Sequence, residues 1–394
     1  MNTKTVNIIL EFRFYKDDSG HIYTDASFDY LFWQRYLMVF DEVRIIARAK
    51  PVSQADIAGN WKKVTGPKVS FTAIPYYHGV ADLVKNMPAV IKEIKKIVAG
   101  DNNPYILRMP SIIGVLFFIS SRDMGRRAYG IEMVGDPEEV FASLPALYRP
   151  LGGMFVRRTR AIIRRAKAAA YVERAVLPKK YPVAVGVQSY FFSSINLPEH
   201  SILSGAKKKN NHKALHILSI GIMDQMYKGP DILLQALAIC KEKGFPFHMV
   251  WIGGGLNLEK VKQMAQELGI GNTVSFMGTV TERDKIEAEM DSSDLFVLAS
   301  RTEGLPRAMI EAMARGLACI GSKVGGIPEL LDGEYLFEKE NYKQLAELIM
   351  KVGEDESKLA SMSVKNLETA KRYTNSRLDK ERSGFYSTVL KASI

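Results

Sequence analysis

Residues 294–331, DLFVLASRTEGLPRAMIEAMARGLACIGSKVGGIPELL, decide the fold. Leu295–Leu298 is an apolar run too short for a helix, and Gly304 breaks the pattern just before Pro306. A helix is expected to begin there, because Ile310, Met313, Ala314 and Leu317 recur at helical spacing. Proline at a helix start loses only an N–H that had no partner, and Gly316 stands where helices end. A second strand-like run and the Gly325-Gly326 turn follow, completing one unit of a parallel α/β sheet. Glu303 and Glu311 flank the expected helix start, with backbone amides between them. Free N–H groups at the positive end of a helix dipole attract phosphate, and carboxylates accept hydrogen bonds from sugar hydroxyls.

Outward from this unit the same grammar repeats. Strand-like runs at Leu215–Gly221, Phe247–Gly253 and Val274–Met277 alternate with helical patterns at Asp231–Lys241, Leu258–Leu268 and Arg283–Met290. Upstream, Val6–Phe14, Val43–Ala47, Val69–Ile74, Tyr105–Met109, Tyr129–Val134 and Ala168–Val172 read as strands, and Pro182–Val187 as a last one. The alternation predicts two doubly wound parallel sheets. One domain is expected over residues 1–195 and another over 214–373. A polar linker is expected over 196–213, where periodicity stops, and a terminal helix over 374–394 is expected to pack back on the first domain. Ligands of such sheets bind beyond the carboxyl ends of the strands.

The chain has 394 residues and is 47% hydrophobic, enough for two cores. The longest weakly polar run, Met109–Ser121, lies between Arg108 and Arg122 and is too short to cross a bilayer. The polar N-terminus leads to no expectation of a signal peptide, and a cytoplasmic protein is expected. Cys240 and Cys319 sit in apolar contexts without metal-ligand spacing and read as buried thiols. Of 54 Lys+Arg and 43 Asp+Glu, residues 1–200 hold 28 and 18, so this half carries nearly all of the formal charge of +11. Such a bias points to nucleic acid, an anionic membrane or an anionic substrate. Nine of these basic residues lie between Arg157 and Lys180. Arg157, Arg160, Arg164 and Lys167 share one side of a helical pattern whose other side is Phe155, Ile162, Ile163 and Ala166. No aromatic residue interleaves the Arg157–Lys167 run, which argues against nucleic acid. Arg165 belongs to the same run, and the whole reads as a contact for the inner face of an anionic cell membrane, or else as a solvated face.

Several blocks together carry a family resemblance: the strand and KG turn within Leu215–Gly229, WIGGG at Trp251–Gly255, VSFMG at Val274–Gly278, EGLPRAMIEA and GGIPELL. They resemble the retaining glycosyltransferases of family 4, which have the GT-B fold of two facing Rossmann-like domains. The first half resembles bacterial surface-polysaccharide members more diffusely. The resemblance implies transfer of a sugar from a UDP- or GDP-sugar to a glycan or lipid-linked glycan in the cleft between the domains, with no metal required. It also implies roles. Glu311 would hold the ribose hydroxyls, Glu303 the transferred sugar, and Lys228 the diphosphate. Gly304, Leu305 and Pro306 form the loop whose amides face the donor, and Gly254, Gly255 and Gly278 are turns that could touch it. Glu311 could instead form a surface ladder with Arg307 and Arg315.

The sequence departs from the family in two places. Many members place an arginine after the glycine that closes the first strand of this domain, but Ile222 and Met223 follow Gly221 here. Arg301 or Arg307 is the expected substitute. Where members carry a histidine after the strand reading YGIEMV, this chain has Gly135-Asp136-Pro137. Asp136 is either a residue beside the reacting sugar or a helix cap, and Arg108 is expected to meet a phosphate of the acceptor. Alternatives to transfer are a GT-B epimerase or hydrolase and a non-catalytic sugar-nucleotide-binding protein.

Overall fold

The computed structural model describes residues 3–121, 123–142, 149–209 and 213–393. The chain divides into two compact units, Met1–Phe192 with Leu378–Ile394, and Ser193–Arg377.

In the first unit the strands are β1 (Thr5–Lys16), β2 (Ile22–Thr24), β3 (Glu42–Pro51), β4 (Lys62–Lys63), β5 (Val69–Ile74), β6 (Tyr105–Met109), β7 (Tyr129–Met133), β8 (Ala168–Tyr171) and β9 (Ser189–Phe191). Seven of them run parallel in the order β5-β3-β1-β6-β7-β8-β9, while β2 and β4 form an antiparallel pair at the end of β1. Both faces are covered, which is why the strands read as continuous apolar runs rather than alternating ones. Ile9, Leu107 and Ile131 join one core, and Ile8, Ile106 and Ala168 join the other. The terminal helix, Asn375–Lys391, contributes Phe385, Tyr386 and Val389 to that second core. Gly130 in β7 gives it room, since a Cβ there would lie 2.5 Å from Val389 and 2.7 Å from the Phe385 ring.

The expected strand over Pro182–Val187 is absent. Val187 N–H instead closes a turn on Ala184 O, Val185 is fully exposed, and the last strand forms at Ser189–Phe191.

The second unit holds six parallel strands: β10 (Leu215–Ile220), β11 (Phe247–Ile252), β12 (Val274–Gly278), β13 (Leu295–Leu298), β14 (Ala318–Ser322) and β15 (Leu336–Phe337). Their order is β12-β11-β10-β13-β14-β15. The chain leaves β10 outward through β11 and β12, then returns to the other side of β10 as β13. That reversal opens a crevice at the carboxyl ends of β10 and β13.

Residues 196–213 do not form a free linker, because their described part packs on this unit. Leu203 N–H donates to Ala314 O (2.9 Å), and Lys207 Nζ donates to Met290 O (2.8 Å) and Asp291 O (2.6 Å), the last carbonyls of the Arg283–Ser292 helix. The polar text that looked like solvent-exposed chain serves to satisfy helix ends.

Candidate functional site

The crevice of the second unit is built by close backbone approaches. After β10 the chain turns through Met226–Lys228 to Gly229, whose φ of +65° is left-handed; a Cβ there would fall 2.0 Å from Ala299 O at the end of β13. Only glycine lets the two loops meet. Gly221 leaves a path for the lysine stem, because a Cβ on it would lie 2.8 Å from Lys228 Cγ.

These approaches set Lys228 Nζ 2.6 Å from Glu303 Oε1. Ser300 Oγ donates to the same oxygen at 2.6 Å, while Oε2 has no hydrogen-bond partner among the described residues. The Lys228 and Glu303 side chains are 17% and 7% exposed, so the pair is shielded but reachable. The Glu303 loop is propped from below by Gly325, where a Cβ would strike Glu303 O, and by Gly326 N–H donating to Gly304 O (2.7 Å). Among the described residues the amides of Gly304 and Leu305 donate no hydrogen bond. Pro306 precedes the helix, which starts at Arg307, one residue later than expected, and runs to Ala314.

Glu311 lies in that helix, half-buried and without a hydrogen-bond or ion-pair partner among the described residues. Burial raises its carboxyl pKa above the ordinary value, against the opposing fields of Arg307 and Arg283. It lines a pocket of about 150 Å³ with Leu197, Ser201, Arg283, Ile286 and Met290. The surface-ladder alternative fails, since Arg315 pairs with Asp291 and Glu287 instead.

The expected second cation is not Arg301. Its guanidinium grips both oxygens of Asp231 (2.7 and 2.9 Å) and also donates to Glu340 Oε1 (2.7 Å) and Met226 O (2.8 Å). Arg307 is exposed at the helix start and has no ion-pair partner among the described residues. The glycines at 253–255 approach protein backbone. A Cβ on Gly253 would meet Gly221 O at 2.0 Å, one on Gly254 would meet Thr279 Oγ1 at 2.5 Å, and one on Gly255 would meet Asp224 N near 2.4 Å. The smallness of Gly254 and Gly255 is thus explained by loop-on-loop packing. Gly278 turns at φ +67° in open space.

Three expectations for the first unit are corrected. Asp136 is a buried helix cap. Its Oδ1 accepts from Glu138 N–H (2.9 Å) and Tyr181 OH (2.6 Å), and Oδ2 from Lys180 Nζ (2.6 Å), so both oxygens are engaged within the protein. Arg108 is buried in an ion pair with Glu132, its direct neighbour across β6 and β7, and also donates to Tyr36 OH at 3.2 Å. Arg160 donates to Glu138 (2.8 Å) and Lys180 O (3.0 Å). Arg157, Arg164 and Arg165 are exposed, and so is Arg158, which helical spacing had not selected. Sequence reasoning also missed Ser300 and Arg283. Ser300 could have been found three residues before Glu303 at a strand end; Arg283 carries no local signal.

Residues 204–369 match the family of glycosyl transferases group 1. Protein CapJ of Staphylococcus aureus is 25% identical over 343 residues, 85% of this chain and 82% of that protein. The amylovoran biosynthesis glycosyltransferase AmsK of Erwinia amylovora is 29% identical over 155 residues, 37% of this chain and 38% of that one. Among solved structures, HepE of Anabaena in complex with UDP-glucose has a TM-score of 0.66 at 15% identity, over 97% of this chain and 99% of that one. At that identity the likeness is one of fold.

Proposed function

This chain is a glycosyltransferase of GT-B fold, with residues 204–369 in glycosyl transferases group 1, and on that premise we propose that it moves a sugar from a UDP- or GDP-sugar to a glycan or lipid-linked glycan, with retention, in surface-polysaccharide assembly. The observation that carries this is the Lys228–Glu303 pair at the strand-order reversal, with one carboxylate oxygen left unengaged. The AmsK name and the UDP-glucose complex of HepE support the polysaccharide and donor classes.

In this reading Glu311 accepts hydrogen bonds from the ribose hydroxyls, and Glu303 Oε2 accepts from a hydroxyl of the transferred sugar. Lys228, the amides of Gly304 and Leu305, and Arg307 face the diphosphate. The bond between the anomeric carbon and the diphosphate breaks, and its electron pair leaves on the diphosphate oxygen. The acceptor hydroxyl forms the new bond and gives its proton to the departing phosphate. Stabilising that developing charge is the largest single contribution the site can make. Lys228 and the helix start supply the countercharge, so the reading contains no metal.

The exposed arginines at 157, 158, 164 and 165 extend the reading to the inner face of an anionic membrane, where each basic residue near the surface contributes about 1 kcal/mol. No helix among the described residues is long and apolar enough to cross one.

A thermal-shift screen against UDP-, GDP- and ADP-sugars tests the donor half, since a ligand at 100 times its dissociation constant stabilises by about 2.7 kcal/mol. One base class should stand out, and no shift with any of them would overturn the reading. Nucleotide release with no sugar appearing on added glycans would favour the hydrolase alternative.

A further inference from the structure

We infer that the trough between the Ile112–Ser120 and Arg149–Ile163 helices of the first unit seats one phosphate of an anionic membrane phospholipid, with the start of its acyl chain along the trough floor. The inference deepens the membrane reading above and rests on it for the source of the ligand. The trough encloses about 320 Å³ and is lined on one side by Val115, Phe118 and Ile119 and on the other by Arg158, Ala161, Ile162 and Arg165. Its two walls differ in chemistry. The first belongs to a helix with no charged residue, and its Ile119 is 57% exposed. The second carries two cations and has no acid to match them: among the described residues neither the Arg158 nor the Arg165 guanidinium has a hydrogen-bond or ion-pair partner.

The spacing makes these arginines a seat rather than a general surface charge. They are seven residues apart, Arg158 in the helix and Arg165 in the turn that closes it, roughly 10 Å at helical rise, with the exposed Ala161 between them in sequence and on the same lining. Arg165 is held by its N–H to Ile162 O (3.1 Å) in the turn that closes the helix. A phosphate over Ala161 would be within reach of a guanidinium from either end, and each guanidinium's planar fork can donate to it.

Two features select a phospholipid over a free phosphate or a nucleic acid. An anion with no apolar tail would leave Phe118 and Ile119 wet. The same helical stripe also continues from Ala161 and Arg158 back to Met154 and Leu151, which are 59% and 45% exposed. A stripe with aliphatic residues at one end and arginines at the other suits a boundary between acyl chains and headgroups.

Full-length protein, co-sedimented with phosphatidylcholine vesicles with and without phosphatidylglycerol, and titrated with soluble dihexanoyl-phosphatidylglycerol and with glycerol phosphate, tests this. Ala161→Glu places a carboxylate in the seat on an exposed helix position and keeps every arginine, and its thermal unfolding should match wild type. Ile119→Ser trims the apolar wall. Wild type should bind the short-chain lipid and not glycerol phosphate, and each variant should lose at least about tenfold in affinity for it. Equal binding by Ala161→Glu and wild type would overturn the seat, and so would equal binding of glycerol phosphate. If vesicle binding survives Ala161→Glu but is abolished by neutralising Arg157 and Arg164, the broader membrane reading stands without the seat. If wild type binds neither vesicles nor short-chain lipid, both readings fall.

Discussion

The two units share an architecture and differ in what they do with charge at the strand ends. Each is built on a run of parallel strands whose order reverses beside its first strand. In the first unit the carboxylates there have both oxygens engaged within the protein. Glu11 accepts from Tyr77 OH (2.5 Å) and Ile113 N–H (3.0 Å), Arg108 is paired with Glu132, and Asp136 is bound at both oxygens. In the second unit, among the described residues, Glu303 keeps one oxygen unengaged, the Glu311 carboxylate has no partner and Arg307 has no ion-pair partner. Topology marks where a ligand can bind in such a fold. An unengaged oxygen marks where the site is built, because a carboxylate bound at both oxygens must share or break bonds of similar strength to take up a ligand.

Substitutions should separate the units along that line. Arg108→Met removes one partner of a buried pair and should destabilise the first unit by about 3–5 kcal/mol, read by denaturant unfolding, while calorimetric nucleotide affinity stays at wild type. Lys228→Ala should do the reverse. Turnover should fall by about 10²–10³-fold, the usual loss for one group on a developing anion, with the unfolding midpoint little changed. Wild-type turnover in that variant would break the comparison. Asp136→Ala should lose about 1–2 kcal/mol as a helix cap and keep its turnover; a catalytic defect in the folded variant would return Asp136 to the site.

The smallest effect is the sharpest. Burial holds the Glu311 pKa up, so the folded state binds its proton more readily than the unfolded chain does. Ionised Glu311 therefore lowers stability at neutral pH, and stability recovers as pH falls through the raised pKa. Glu311→Gln should raise the melting temperature of donor-free protein at neutral pH by an amount worth about 1 kcal/mol or less. It should weaken nucleotide binding at the same time. The melting gain should vanish at low pH.

Much of this was legible in the sequence. Apolar runs gave β13, β5 and β6 to the residue, and the stretch after β13 supplied both glutamates, Glu303 in the loop and Glu311 in the helix. What stayed hidden depends on register and distance. Every residue of β6 is buried, so no alternation could show that Arg108 points into a core, and its partner becomes visible only once β6 and β7 are aligned. Arg301 finds Asp231 across 70 residues of chain. Asp136 before a proline reads the same whether it caps a helix or meets a substrate, and only Lys180 and Tyr181, more than forty residues on, decide it. The segment around Lys207 looked like linker because its polar groups bind carbonyls that sequence cannot show to be free.

The Lys228–Glu303 contact has a kinetic consequence. An ammonium 2.6 Å from a carboxylate is, a few ångströms away, nearly a dipole. Lys228 therefore adds little to the field that draws in an anionic donor, and association should owe more to exposed cations such as Arg307 and depend on salt through them. Once a diphosphate arrives, Lys228 can divide its hydrogens between phosphate and Glu303, so its influence should be read in how long the nucleotide stays rather than in how fast it comes.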